Sequence, residues 1–131
     1  IIFQFFREME INNNSLPQDL FDFMFNDFEN NLREMGFGDV AVNKKMKVFI
    51  SAFYGRISNY SKGIQMYRIQ KNKQKLFDTV KGNIYKNKEV SSTSVNFFVE
   101  YLLLNLDKFM NSTLENNIST TFEFVTLEKI K

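Results

Sequence analysis

Apolar residues recur every three or four positions along most of the chain, which is the spacing of one face of an α-helix. The clearest row begins with Met46, Phe49, Phe53 and Ile57 and continues through Tyr60, Ile64 and Tyr67. It predicts a helix of about 30 residues, roughly 45 Å long. Gly55 lies inside the row, where a missing side chain would let another helix come close, and Gly63 would mark a bend.

A second amphipathic helix is predicted before the long one. Ser15 is a suitable N-cap, Pro17 suits a first helical turn, and Gly36 suits the residue after a helix C-terminus. Asp39 is then expected to cap the long helix. The apolar face of this first helix is expected to contain Leu20, Met24, Phe28, Leu32 and Met35, widened by Phe21 and Phe25.

The C-terminal third has a different pattern. A short basic helix is predicted within residues 71–88, followed by a loop in which Ser91, Ser92 and Thr93 are capping candidates. The next helix, from about residue 94 to 110, is apolar nearly all round, which is typical of a central helix or of one that offers a face to a partner. Its main row is Val95, Phe98, Val99, Leu102, Leu106, Phe109 and Met110.

Near the C-terminus, Ile118, Thr120, Phe122 and Phe124 alternate with the polar residues Ser119, Thr121 and Glu123. A period of two residues predicts a short extended segment, which we expect to lie against the helices. Together the patterns predict an all-α fold: one domain over residues 1–131, a bundle of about four or five helices with an extended tail. The core is expected to include Leu20, Met24, Phe28, Phe49, Phe53, Leu102 and Leu106.

Composition narrows the chemistry that this fold can carry. The chain has no cysteine and no histidine, so disulfides, thiolate catalysis and the usual zinc, copper and haem ligands are absent from it. We expect no cofactor, and an enzyme is disfavoured. The chain does not begin with Met, and residues 1–9 resemble the end of a helix, so we expect its N-terminus to lie upstream.

The net charge of +2 hides a strong asymmetry. Residues 1–39 carry two basic and eight acidic residues, a net charge of −6, and residues 89–131 carry three basic and six acidic residues, a net charge of −3. Residues 40–88 carry twelve basic residues against one acidic residue, a net charge of +11. A basic middle between acidic flanks indicates either internal pairing or a surface for an anionic partner.

The choice between internal pairing and an anionic partner arises most clearly at the junction, residues 33–47. Lys44, Lys45 and Lys47 fall in the first turns of the long helix, where the helix dipole disfavours a cation by about 0.3–1 kcal/mol. One interpretation is that Glu29, Glu34 and Asp39 pair with these lysines across the turn. The other is that the lysines meet an anionic partner.

The basic tract at residues 68–88 leaves similar alternatives. It is either a solvated surface or a binding surface for ribosomal RNA or an anionic membrane. Aromatic residues are sparse among its lysines, which argues against base stacking, and we expect no DNA partner. A phosphate-binding loop is excluded, because Gly36–Asp39 has neither a preceding strand nor a following Lys-Ser/Thr.

The central sequence resembles the ubiquinol–cytochrome c chaperone family, helical bacterial and mitochondrial proteins that assist assembly of the cytochrome b-containing respiratory complex. The matching motifs are Leu-Arg-Glu-Met-Gly at 32–36, Gly-Asp at 38–39, Lys-Lys at 44–45, Phe-Tyr-Gly-Arg at 53–56, and Tyr60. Residues 82–87 resemble the later Arg-Asn-Val-Tyr stretch of the family, with Gly82 in place of its Arg. The resemblance covers roughly residues 15–130.

The resemblance implies a non-enzymatic assembly chaperone that binds newly made cytochrome b. For mitochondrial members it also implies the ribosome and a small partner protein as further contacts, and the charge of +11 over residues 40–88 suits a ribosome or an anionic membrane surface. The expected location is the cytoplasm at the periphery of the inner membrane, or the mitochondrial matrix side in a eukaryote. The expected partner-binding residues are Arg33, Glu34, Asp39, Lys44, Lys45, Tyr54, Arg56 and Tyr60.

Two other functions fit parts of the sequence. A ribosome- or RNA-associated accessory protein would use the basic segment 40–88 and would show steep salt dependence without needing a client. A small helical enzyme would require a closed pocket with strongly perturbed carboxylates.

Overall fold

A computed structural model describes residues 16–114 and 123–126 of the chain. The described residues form four α-helices and contain no strand: α1 (Leu16–Glu34), α2 (Asp39–Gln70), α3 (Gln74–Tyr85) and α4 (Ser92–Leu114). Each helix packs on the next one along the chain. The predicted all-α bundle is confirmed, whereas the segment at residues 2–9 and the Ser15 cap lie outside the described residues.

The turn between α1 and α2 is built by glycine and by backbone hydrogen bonds. Gly36 has φ +87°, a left-handed conformation that glycine adopts without steric cost. Its N–H donates to the carbonyl of Arg33, and the N–H of Phe37 donates to the carbonyl of Leu32. This pair of bonds is the Schellman motif, so the predicted helix stop at Gly36 is confirmed. The N-cap of α2 is Gly38 and not the predicted Asp39.

Two hydrophobic clusters lie along α2. The proximal cluster joins α1 to the first part of α2, and the distal cluster joins the last part of α2 to α3 and α4. The buried members of the proximal cluster are Phe25, Leu32, Val42 and Met46. The buried members of the distal cluster are Ile64, Leu76, Val80, Val95, Val99, Leu103 and Leu106.

The core predictions are correct in outline and wrong at two positions. Leu106 is fully buried, and Leu102, Met24 and Phe53 pack against the clusters. Phe28 and Phe49 are exposed, because they lie at the edge of the α1–α2 interface, where their rings contact each other at 6.3 Å. The buried line of α1 runs through Phe25, which the sequence pattern placed at the margin of the apolar face.

The close helix approach occurs at Gly63 and not at Gly55. A Cβ atom at Gly63 would lie 2.7 Å from Leu76 Cδ2, so the absence of a side chain lets α2 and α3 pack closely there. No described atom lies within 4 Å of a Cβ atom built at Gly55. The prediction of close packing at Gly55 is therefore wrong for the described part of the chain, and α2 continues unbroken through Gly63.

The start of α4 and the tail are held by side chains. Ser91 Oγ accepts the N–H of Ser94 at 3.1 Å, as expected of a capping candidate. Residues 123–126 have no helix or strand and dock on α4. The fully buried Asn105 accepts the N–H of Val125 at 2.7 Å. Phe124 is exposed, and residues 118–122 of the predicted extended segment lie outside the described ranges.

Candidate partner-binding surface

Arg33 is the centre of the α1–α2 junction. It donates to Glu29, one turn earlier on α1, at 2.7 Å, and to Asp39 at the start of α2. All three side chains are solvent-accessible. The hydrogen bonds to Glu29 and then to Asp39 raise the pKa of Arg33 above its ordinary value, so the guanidinium stays charged. Arg33 therefore ties the end of one helix to the start of the next.

This arrangement removes one of the two interpretations of the neighbouring lysines. Glu29 and Asp39 both pair with Arg33, and no residue of the described ranges forms an ion pair with Lys44, Lys45 or Lys47. Lys45 instead lies over the ring of Phe37, with Nζ 4.6 Å from the ring centre. The predicted pairing of these lysines with acidic residues across the turn is thus wrong, and Lys44 and Lys47 are exposed cations.

Tyr54 belongs to an aromatic group at the open end of the α1–α2 pair. Its ring centre lies 5.6 Å from that of Phe21 and 5.7 Å from that of Phe53. More than half of Tyr54 nevertheless remains exposed. Such a ring has apolar area and a hydroxyl available to a partner while its backbone stays rigid in a helix.

The residues that follow Tyr54 lie between the two hydrophobic clusters. Gly55 and Arg56 are both exposed. Tyr60, one turn further, packs against the distal cluster instead of facing solvent. The Phe-Tyr-Gly-Arg motif therefore spans from the proximal cluster, where Phe53 packs, to an open stretch of α2.

The eight predicted partner-binding residues do not form one continuous face. Arg33 and Asp39 form the junction, and Glu34 is exposed beside it. At about 100° per residue, Lys44 and Arg56 are about 120° apart around α2, and Tyr54 is about 160° from Arg56. Only the junction and its lysines remain together, because Tyr54 and Arg56 are exposed on nearly opposite sides of α2. Whether the junction or either of these two residues binds a partner stays a prediction.

Sequence reasoning missed two features of this region. The first is the contact between the Lys45 ammonium group and the ring of Phe37. The sequence signal for it is an aromatic residue a few positions before a lysine-rich segment. The second is Asn105, which no sequence prediction assigned a role. It is a single amide within an apolar row of α4, and a buried polar group at such a position needs a hydrogen-bond partner.

Residues 16–114 and 123–126 contain no group of three or more acidic side chains placed to hold a metal ion. None of the four helices is both long and apolar enough to cross a membrane.

The model of the ubiquinol–cytochrome c chaperone family matches residues 2–127. The chain belongs to this family. No curated protein and no solved structure matches it. The family resemblance expected from the central motifs is confirmed, and it extends over nearly the whole chain.

Membership of the ubiquinol–cytochrome c chaperone family gives the motifs a context. Leu32, Gly36 and Phe37 have structural roles, since they form the Schellman turn and contact the proximal cluster. Arg33 and Asp39 hold the junction. Contacts within the described residues do not account in this way for Lys44, Gly55 and Arg56, which are exposed.

Proposed function

We propose that this protein is a non-enzymatic chaperone that binds newly made cytochrome b and promotes assembly of the ubiquinol–cytochrome c reductase complex. The observation that carries the proposal is the family match over residues 2–127. The absence of histidine and cysteine from the sequence agrees with a role in binding and not in catalysis.

The proposed client surface starts at the junction. Arg33 links the end of α1 to the start of α2, and Lys44 lies in the first turns of α2 without an acidic partner among the described residues. Lys45 is held over Phe37 nearby. Further along α2, Tyr54 and Arg56 add an exposed ring and an exposed guanidinium. Cations and an aromatic ring on a rigid helix suit the recognition of a polypeptide, because both contribute strongly to interface energies.

The proposed location follows from the client. A chaperone of a membrane-embedded cytochrome works at the periphery of the inner membrane, on its cytoplasmic side or, in a eukaryote, on the matrix side. The net charge of +11 over residues 40–88 supports contact there with an anionic surface of the ribosome or the membrane. A small partner protein would complete the assembly, as the family resemblance implies.

The first test is the b-type haem spectrum of membranes from a strain that lacks this gene. We expect the cytochrome b signal to be lost and to return when the gene is added back. An unchanged spectrum, with the other respiratory complexes also normal, would contradict the chaperone function and favour a ribosome-associated accessory protein.

A charge reversal at the junction tests the surface. Lys44→Glu with Lys45→Glu is expected to weaken client association at least tenfold, because two desolvated cations of an interface are replaced by anions. The measurement is the amount of cytochrome b that co-purifies with each variant, with helicity and thermal unfolding as checks of the fold. Lys86→Glu with Lys88→Glu is the matched control, since it makes the same charge change in the exposed loop after α3. Full binding by the junction variant would assign the lysines a purely structural role.

A further inference from the structure

The outward side of α2 carries a second row of apolar residues, opposite both hydrophobic clusters. At about 100° per residue, the members of this row fall within an arc of about 80°, and the arc faces away from Val42, Met46 and Ile64. We call this row the outer ridge. It consists of four apolar residues, Val40, Val48, Met66 and Ile69, and of the two lysines that lie on the same side of the helix, Lys44 and Lys62.

The apolar side chains of the outer ridge are open to solvent. Val40 is 85% exposed, Ile69 72%, Val48 61% and Met66 36%. A single exposed valine is ordinary on a protein surface, but these four side chains form two groups on one side of a single helix, Val40 with Val48 and Met66 with Ile69, separated by Ser51, Gly55 and Ser58. The two ends of the ridge are 29 residues apart, which is roughly 44 Å of helix.

The charge of α2 is one-sided. Residues 40–70 contain six basic residues and no acidic residue. On the ridge itself, Lys44 and Lys62 stand between the apolar residues, and no described residue forms an ion pair with either lysine. The chemical complement of this surface is therefore a partner that is anionic and that also accepts apolar side chains.

We infer that the outer ridge lies on the surface of an anionic membrane. Two narrow groups on the same side of one helix, each with a lysine, can rest together on a plane, whereas a globular partner would be met by a single broader patch. Apolar side chains enter the boundary between headgroups and acyl chains, while the aliphatic stems of the lysines let their ammonium groups reach lipid phosphates. This inference rests on the proposed function, because that function places the client in a membrane.

Nucleic acid is a poorer complement of the same ridge. Its phosphates would pair with Lys44 and Lys62, but the four apolar side chains would gain nothing from a phosphate backbone. The ridge also contains no aromatic ring on which a base could stack.

Vesicle flotation with the full chain tests the inference. One set of vesicles is phosphatidylcholine alone, and the other is a two-to-one mixture of phosphatidylcholine and phosphatidylglycerol. We expect the protein to float with the mixed vesicles, to stay unbound with the neutral ones, and to dissociate at high salt.

A pair of double variants locates the contact. Lys62→Gln with Ile69→Ser changes the end of the ridge far from the α1–α2 junction, and the lost cation alone should weaken vesicle binding about fivefold. Lys88→Gln with Ile84→Ser makes the same chemical changes at exposed residues off the ridge, and it should bind like the unmodified protein. Helicity measured for each variant confirms that α2 is intact.

Three outcomes would overturn the inference: no binding to the mixed vesicles, equal binding by the two double variants, or binding of single-stranded RNA without binding of vesicles. The b-type haem spectrum of the deletion strain separates this result from the proposed function. A lost haem signal together with absent vesicle binding would leave the chaperone role standing and remove the membrane contact.

Discussion

At the scale of single residues, the two glycines inside α2 have opposite surroundings. Gly63 is buried where α2 meets α3, with Leu76 in the space that a side chain would need. Gly55 is exposed, with open space where a side chain would begin. Sequence alone presents both simply as glycines in a helix, where each costs roughly 1 kcal/mol relative to alanine.

Alanine substitutions should therefore change stability in opposite directions. Gly63→Ala should lower the free energy of unfolding by about 1–3 kcal/mol, because the new methyl group overpacks the contact with Leu76. Gly55→Ala should raise it by about 0.5–1 kcal/mol, because alanine loses less backbone entropy in a helix. Urea unfolding followed by circular dichroism measures both. A shift in the same direction for the two variants would contradict the packing described for Gly63.

At the scale of elements, α4 does more than bury an apolar face. Asn105 is fully buried, and its Nδ2 donates to the carbonyl of Tyr101 at 2.8 Å while its Oδ1 accepts from Val125. Lys108 donates to the carbonyl of Glu123. Both of these contacts are made to backbone atoms, so α4 holds the main chain of residues 123–126.

Asn105→Leu should release the tail while leaving α4 helical. The Val125 N–H would lose its acceptor, and amide hydrogen exchange at residues 123–126 should become about fivefold faster, the equivalent of about 1 kcal/mol for one hydrogen bond. Asn96→Leu is the matched control, because Asn96 is exposed on the same helix. Unchanged exchange in the Asn105 variant would mean that other contacts hold the tail.

At the scale of the whole molecule, α2 is shared by two separate hydrophobic clusters. The proximal cluster holds α1 on its first part, and the distal cluster holds α3 and α4 on its last part. Between them lies the stretch with Gly55 and Arg56, which are exposed. Regions with few buried apolar contacts open more readily than packed regions, so the two ends of the molecule are expected to differ in local stability.

Leu76→Ala should reveal this division. Leu76 is fully buried in the distal cluster, and the cavity left by its truncation should cost about 2–5 kcal/mol. Hydrogen exchange should speed up mainly in α3 and α4, with α1 keeping more of its protection, because α1 packs on the proximal cluster. Equal loss of protection in α1 and α4 would instead show that the molecule unfolds as one cooperative unit.

The candidate surface was only partly predictable from the sequence. The charge asymmetry is visible in the residue order, and Arg33, Asp39 and Lys44 stand out by their spacing around the turn. The pairing was not predictable, because Glu29 and Asp39 had several cations within reach along the chain. Helix α1 places Glu29 one turn before Arg33, and the geometry of the Gly36 turn brings Asp39 to the same guanidinium. The outer ridge was hidden for a related reason: within each of its two groups, residues 40–48 and 62–69, the three- and four-residue spacing matches that of the buried row of the same helix.

The sequence by itself determined the helices, the Gly36 stop and the family, because helical periodicity, capping and motif spacing depend on residues close together in the chain. The tertiary structure alone decided which apolar row of α2 is buried, that Gly63 is the point of close contact, and that Asn105 holds the tail. These properties depend on distances between residues far apart in sequence. Such distances are set by how whole helices pack, and local spacing carries no information about them.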